Sequence, residues 1–371
     1  MPAYDRNVPF NSLPLLPPSD MNVDMLEVLK RTTGARAALG KLDGILHSVA
    51  DPNMLINSIA LREAKDSSEI ENIFTTSDEL YQSLAIETTS MAPAAREVLR
   101  YRDALRAGMD QLKKSGCINR DVVLTVYQAL ENTTQGLRPP TLQTVIRKTG
   151  SSLTGGKVVY TPPRGPGVLE KMLDNWEKFT QQAANTFPDP LIDLAVAHYQ
   201  FEAIHPFSDG NGRTGRILNI LYMIDRGLLT YPVLYLSGFI VKNKEDYYHF
   251  LGSITERKQW QPWVFFILDG IRQTCEFTIE LIMRIQNLQT EFEKYVVSRL
   301  PKFNLEIIRL LFVQPYIRAV HIVNQPQCGI KSRQTATARL EELIDINLLS
   351  KKIVGRETVY INHQLLSILS K

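Results

Sequence analysis

Along most of this chain apolar residues recur every three or four positions, the spacing that builds one-sided helices and predicts a mainly α fold. From Asp20 to about Leu84 the pattern is helical: Ser19 and Asp20 offer caps, and Met25, Val28 and Leu29 repeat on one side. Two further helices are predicted over Ala94 to Lys113 and Asn119 to Glu131. Between Gly136 and Gly156 the period breaks, with glycines and the Pro139-Pro140 pair. Lys157-Val158-Val159-Tyr160 then reads as a short strand, preceded by Gly155-Gly156 and closed by Pro162-Pro163, so a small hairpin is expected. Helical spacing returns from Val168 to Ala184 and from Pro190 to Ile204, where Ile192, Ala195, Val196, Tyr199 and Ala203 share a face. A glycine-rich loop leads into a helix from about Thr214 to Arg226, and helices follow at Lys244 to Glu256 and Trp260 to Leu300.

Composition narrows the class. With 371 residues the chain is long enough for two or three domains, and 44% apolar with 22% charged residues is the balance of a soluble globular protein. No run approaches the roughly 20 apolar residues of a membrane span, so no membrane partner is expected. The segment Met1 to Asp20 holds Pro2, Pro9, Pro14, Pro17 and Pro18 without a charged-then-apolar leader pattern, which predicts an extended arm on a cytoplasmic protein. Cys117, Cys275 and Cys328 stand singly and form neither a disulfide framework nor a metal pair.

The stretch His205-Pro206-Phe207-Ser208-Asp209-Gly210-Asn211-Gly212-Arg213-Thr214-Gly215-Arg216 carries the chemistry. It reads as a helix end, a loop and a helix start. Gly210, Gly212 and Gly215 allow a tight turn and close approach of a ligand to the backbone. The helix that follows directs its N–H groups and positive dipole end at the loop, an arrangement that binds phosphate. Arg213 and Arg216 can grip further phosphate oxygens through their planar forks. Asp209 offers the hard oxygen that Mg²⁺ prefers, and His205 titrates in the range suited to a general base. A lone Gly-Asn-Gly carries little; a base, a metal carboxylate, an anion-binding turn and two arginines within twelve residues carry a great deal.

This stretch matches the signature His-x-Phe-x-Asp/Glu-Gly-Asn-Gly/Lys-Arg-x-x-Arg at every defined position, and the chain resembles the Fic family of protein adenylyltransferases from about Arg147 to Leu251. The resemblance implies a nucleotidyltransferase that moves AMP from ATP to a Ser, Thr or Tyr hydroxyl of a target protein or of itself. His205 would deprotonate the hydroxyl and Asp209 would hold Mg²⁺ against the phosphates. Asn211 with the backbone of Gly210 and Gly212 would cradle the phosphates, and Arg213 and Arg216 would pair with the outer ones. Phe207 would anchor the loop. Tyr247 and Tyr248 match the region that closes over adenine and ribose. Gly155, Gly156, Lys157, Val158, Val159 and Tyr160 resemble the family's flap, which would hold the target by strand addition. Upstream, Ser67-Ser68-Glu69-Ile70-Glu71-Asn72 resembles the inhibitory motif Ser/Thr-x-x-x-Glu-Gly/Asn. There Ser67 and Glu71 would lie one turn apart on a helix, with Glu71 reaching Arg216 and blocking the γ-phosphate position. In some relatives the same glutamate supports removal of AMP.

Residues 301–371 contain ten Lys or Arg against five Asp or Glu, a balance of +5 that leaves −2 for the rest of a chain of net charge +3. Helices at Leu305 to Phe312, Arg318 to Asn324 and Ser332 to Ile344, then a ribbon of Lys351–Val354 and Thr358–Ile361, resemble a winged helix. Ser332, Arg333, Gln334, Thr335 and Thr337 would open its recognition helix, with Lys351, Lys352 and Arg356 on the wing. DNA binding, protein docking and homodimer formation all remain open for it. The expected organisation is an arm and inhibitory segment over 1–90, a catalytic core over 91–300 and the winged-helix-like module over 301–371. A Fic-type phosphotransferase and a nucleotide-sensing DNA-binding regulator are the alternatives to AMP transfer.

Overall fold

The computed structural model describes residues 4–49, 52–86, 91–148, 157–182 and 186–370. Its helices in chain order are α1 (Met25–Ser48), α2 (Pro52–Ile70), α3 (Ser77–Ile86), α4 (Pro93–Ser115), α5 (Arg120–Glu131), α6 (Val168–Gln182), α7 (Pro190–Ile204), α8 (Asn211–Asp225), α9 (Leu236–Lys242), α10 (Lys244–Arg257) and α11 (Trp260–Arg299). The mainly α expectation holds. The predicted hairpin is present as β1 (Ile146–Lys148) paired antiparallel with β2 (Lys157–Tyr160), Arg147 opposite Val158.

The single helical stretch predicted between Asp20 and Leu84 is three helices, and each break has a local cause. α1 starts on Asp24, whose carboxylate accepts from the N–H groups of Leu26 and Glu27, and its backbone turns extended at Val49. α2 begins on Pro52, a residue suited to a first helical turn. α2 ends where Asn72 adopts a left-handed φ of 63°. α3 opens on a capping box: Thr76 N–H donates to Glu79 Oε2 at 3.0 Å and Glu79 N–H donates to Thr76 Oγ1 at 3.1 Å.

α7 runs through the middle. Apolar residues occupy nearly every side of it, from Leu191 to Ile204, which is the pattern of a helix enclosed by others. α6, α8 and α11 pack on it, α4 and α5 pair beside α8, and α1 lies along the 40-residue α11. Residues 4–20 form no helix or strand and lie against the body. Leu13 and Leu16 are buried, Phe10 N–H donates to the Thr161 carbonyl at 3.0 Å, and Leu16 exchanges two hydrogen bonds with the Asn175 side chain.

The C-terminal region contains α12 (Leu305–Leu310), β3 (Tyr316–Ile317), α13 (Ala319–Val323), α14 (Arg333–Asp345), β4 (Ser350–Val354), β5 (Glu357–Ile361) and α15 (His363–Ser370). Its order is three helices and then a ribbon, with Ala336, Leu340 and Leu343 of α14 inward and Ser332 capping it. The short β3 makes the ribbon a three-stranded sheet in the order β3-β5-β4. This region leans on α3: the Tyr316 hydroxyl donates to Asp78, and Lys352 Nζ donates to Gln82 Oε1 at 3.0 Å. Lys351 is paired with Glu341. No helix among the described residues is long and apolar enough to cross a membrane.

Candidate active site

The site forms where α7 ends and α8 begins. His205 caps α7 in a left-handed conformation (φ 51°), its N–H donating to the Phe201 carbonyl at 3.0 Å. Phe207 turns inward and stacks flat on Tyr127 with ring centroids 3.8 Å apart, anchoring the loop as expected. Asn211 closes it: its Oδ1 accepts from Phe207 N–H at 2.8 Å and its Nδ2 donates to the Phe207 carbonyl at 2.9 Å. The Asn211 amide therefore shapes the loop with both its polar atoms. Gly210 takes φ 69° as the N-cap of α8, a value glycine adopts without a Cβ penalty. α8 begins at Asn211 rather than Thr214, so its first-turn N–H groups, which have no intrahelical acceptor, belong to the loop itself. Asp209 is exposed and accepts from Gly210 N–H at 2.7 Å.

The two arginines are both buried and both occupied. Arg213 donates through Nη1 to Glu97 at 3.0 Å and through Nη2 to Glu131 at 2.9 Å. Arg216 donates through Nε to Ser67 Oγ at 2.8 Å, and through Nη2 to the Ser67 carbonyl at 2.8 Å and to Glu71 Oε1 at 2.9 Å. Ser67 and Glu71 thus meet Arg216 together, but not from one helical face. α2 has already ended at Ile70, and Glu71 sits in the turn beyond it. Asn72 N–H bonds the Glu69 carbonyl and Ile73 N–H bonds the Ser68 carbonyl, the paired bonds of a Schellman turn with Asn72 at its left-handed position. Asparagine or glycine is favoured at that position, and Lys244 Nζ holds the Asn72 side chain at 3.2 Å. The glycine opposite is equally constrained: a Cβ on Gly212 would lie 2.4 Å from Glu71 Oε1.

Electrostatics follow from this packing. Burial pushes the Glu71 carboxyl up, yet the charge and hydrogen bond of Arg216, with Arg213 and Lys244 behind, outweigh it and hold Glu71 below the usual carboxylate range. Burial pushes His205 down to about 4, Arg138 adding to the effect, so the imidazole is neutral at physiological pH and able to accept a proton. Burial likewise raises Glu202, which packs against Gly215, to about 7 despite Arg216. Behind Ser67, buried Glu63 accepts from Ser237 N–H at 2.9 Å and from the Tyr101 hydroxyl at 3.0 Å, tying α2 to α9 and α4.

The remaining predicted residues divide. Tyr247 is a core residue, its hydroxyl 3.0 Å from His198 Nε2 among Trp263 and Phe266. Tyr248 is exposed, and its hydroxyl feels the charges of Glu71 and Arg216. In the hairpin Lys157 is exposed while Val158, Val159 and Tyr160 are half-buried, and the Tyr160 hydroxyl donates to the Ala203 carbonyl at 2.8 Å, beside the end of α7. Gly155 and Gly156 lie outside the described residues. Sequence reasoning missed Glu97 and Glu131, which lie far along the chain from Arg213, and Arg138, which fell in a stretch read only as loop. Nothing in their linear spacing marks them.

Three family models match in succession: Fic/DOC family N-terminal over residues 29–110, Fic/DOC family over 117–223, and the protein adenylyltransferase SoFic-like C-terminal domain over 288–365. The chain belongs to the Fic/DOC family. Among similar proteins is the protein adenylyltransferase Fic of Drosophila mojavensis, 30% identical over 260 residues that make up 65% of this chain and 48% of that one. The protein of the same name from Drosophila grimshawi is 30% identical over 65% of this chain and 50% of its own length. The chain spans about half the length of the curated relatives it matches. Among solved structures, a Fic family protein from Desulfovibrio desulfuricans G20 superposes with a TM-score of 0.56 at 18% identity, covering 89% of this chain and 95% of that one. Fic-1 from C. elegans gives 0.53 at 20% identity over 69% and 73%. At these identities the likeness establishes the Fic fold.

Proposed function

We propose that this chain transfers AMP from ATP to a protein hydroxyl and holds itself in check through Glu71. The observation that carries the proposal is the Arg216 guanidinium, which stands at the helix start that a triphosphate would occupy and is already taken by Ser67 and Glu71. An arginine facing an anion-binding helix start and neutralised by a glutamate from a turn is a phosphate site with a resident competitor.

In the reaction the target hydroxyl oxygen attacks the α-phosphorus, the bond from that phosphorus to the bridging oxygen of the β-phosphate breaks, and pyrophosphate leaves. The hydroxyl proton passes to the His205 ring. Burial disfavours the imidazolium at rest, and the negative phosphates of bound ATP favour it again. The first-turn amides of α8 would hold the α- and β-phosphates, and Arg216, once freed, the γ-phosphate. The fit to a divalent ion rests on Asp209, an exposed carboxylate beside the phosphate position. Mg²⁺ takes few protein ligands alongside phosphates and waters, and it would neutralise charge developing on the leaving group. The hairpin stands beside the end of α7 and is suited to hold an extended target segment. Residues 301–371 serve in this account as an accessory module for partner choice or self-association.

The test is incubation with Mg-ATP labelled at the α- or the γ-phosphate, using wild type and Glu71→Gly. AMP transfer places α-label and no γ-label on protein, the chain itself included. γ-label would mean phosphate transfer, and no label from a folded Glu71→Gly protein would leave a nucleotide sensor.

A further inference from the structure

We propose that Arg138 is a positioning residue that sets the place of the catalytic base and joins it to the target-binding hairpin, an inference that rests on the transfer function above. Arg138 lies between α5 and β1 and is buried to 3% exposure. Its Nε donates to the His205 carbonyl at 2.8 Å, and its Nη2 donates to the Ile204 carbonyl at 3.3 Å and to the Pro163 carbonyl just beyond β2. Its backbone N–H donates to the Pro206 carbonyl at 2.9 Å. One residue therefore holds the three consecutive carbonyls of 204, 205 and 206 and the foot of the hairpin.

The need for such a hold is local. His205 is a non-glycine residue in the left-handed region, which costs of order 1 kcal/mol and persists only where surrounding contacts determine it. The C-terminal carbonyls of α7 also lack intrahelical donors, and a buried cation with planar, forked donors satisfies several of them at once. Because the same guanidinium bonds Pro163, a shift of the hairpin is felt at the base turn. The base and the hydroxyl brought by a target strand then keep one geometry. A displacement of about 1 Å between reacting groups can cost roughly 100-fold in rate.

The charged groups that face the His205 ring are Arg138 from this loop, Glu71 from the turn after α2 and Asp209 from its own loop, with the Glu202 backbone from α7. Arg138 in turn faces Tyr160 of β2. Removing the Arg138 charge takes away a group that disfavours the imidazolium, so His205 should titrate higher.

The experiment compares Arg138→Met and Arg138→Lys in the Glu71→Gly background. For Met, kcat of α-label transfer should fall about 10- to 100-fold while KM for ATP moves less than about threefold, because the nucleotide contacts are untouched. The His205 titration, followed by NMR without turnover, should move up. Lysine keeps the charge but not the fork, so the titration should stay near that of the parent while only part of the rate returns. Unchanged kcat in both variants would overturn the proposal. So would an equal loss of rate and ATP affinity with an unmoved titration, or failure of both variants to fold, since each assigns Arg138 to stability alone. If the Glu71→Gly parent itself transfers no AMP, the transfer function fails, and the His205 titration still decides the place of Arg138.

Discussion

Arg213 and Arg216 lie three residues apart on α8, and both are buried and bound to carboxylates, yet the two sides of the loop are built for different ends. Arg213 has two carboxylates, Glu97 from α4 and Glu131 from the end of α5, both carried by paired helices of the body. Arg216 has one, Glu71, carried by a turn beyond a helix end, and its other partners are the neutral hydroxyl and carbonyl of Ser67. A triphosphate can replace a single carboxylate charge for charge, and the turn can move without unfolding a helix. At Arg213 it would have to displace two carboxylates, one carried by α4 and one by the end of α5. In the proposed account the same kind of ion pair is a fastener on one side and a latch on the other, and what decides is the element carrying the acid.

The largest effect lies outside both pairs. His205→Ala, measured in the Glu71→Gly background, should lower α-label transfer by roughly 100- to 10,000-fold while calorimetry shows ATP binding retained. Transfer at the parent rate would mean that the loop works without its base. Asp209→Ala should abolish the Mg²⁺ dependence of ATP binding, followed by metal titration; an unaltered dependence would place the ion elsewhere.

The contrast between the pairs sharpens with Glu131→Ala. It leaves Arg213 with Glu97 alone, and should cost about 1–2 kcal/mol of stability by denaturant unfolding without raising transfer. A rise in transfer would show that the Arg213 side is also a latch. The smallest effect is a pH dependence. Burial raises Glu202 to about 7 from an unfolded value near 4.3, so its favourable contribution is present below about pH 4 and is lost as pH rises through 7. Glu202→Gln should therefore improve stability relative to wild type more at pH 8 than at pH 5. Equal differences at the two values would remove Glu202 from the pH response.

The loop was legible in the sequence because its chemistry is local: His205, Asp209, the glycines and both arginines fall on one helix end and one helix start. Ser67 and Glu71 were read from the family resemblance instead, since they meet Arg216 across 149 and 145 residues, and the turn after Ile70 was not read at all. Asn72 was the cue, since a left-handed position after a helix favours asparagine or glycine. Helix capping explains the other misplaced boundaries, where Pro52 and the Thr76–Glu79 box divide what apolar spacing alone joined. What stayed hidden is long-range. Glu97 and Glu131 reach Arg213 across 116 and 82 residues, and Arg138 reaches the His205 carbonyl across 67. Hydrophobic periodicity positions helices, but it does not say which buried cation meets which acid.

The central claim is that Glu71 competes with nucleotide for Arg216. A charge-assisted contact of this kind is worth about 1.5–3 kcal/mol, a bias of roughly 10- to 100-fold. Measuring α-label incorporation by wild type, Glu71→Gly, Glu69→Gly and Glu71→Gly with Arg216→Ala tests it most directly. The account predicts a gain of tenfold or more for Glu71→Gly and little change for Glu69→Gly, whose carboxylate faces Lys65 at 3.4 Å. It also predicts that the gain disappears when Arg216 is removed. Equal incorporation by folded wild type and Glu71→Gly, or a gain that survives the loss of Arg216, would contradict it.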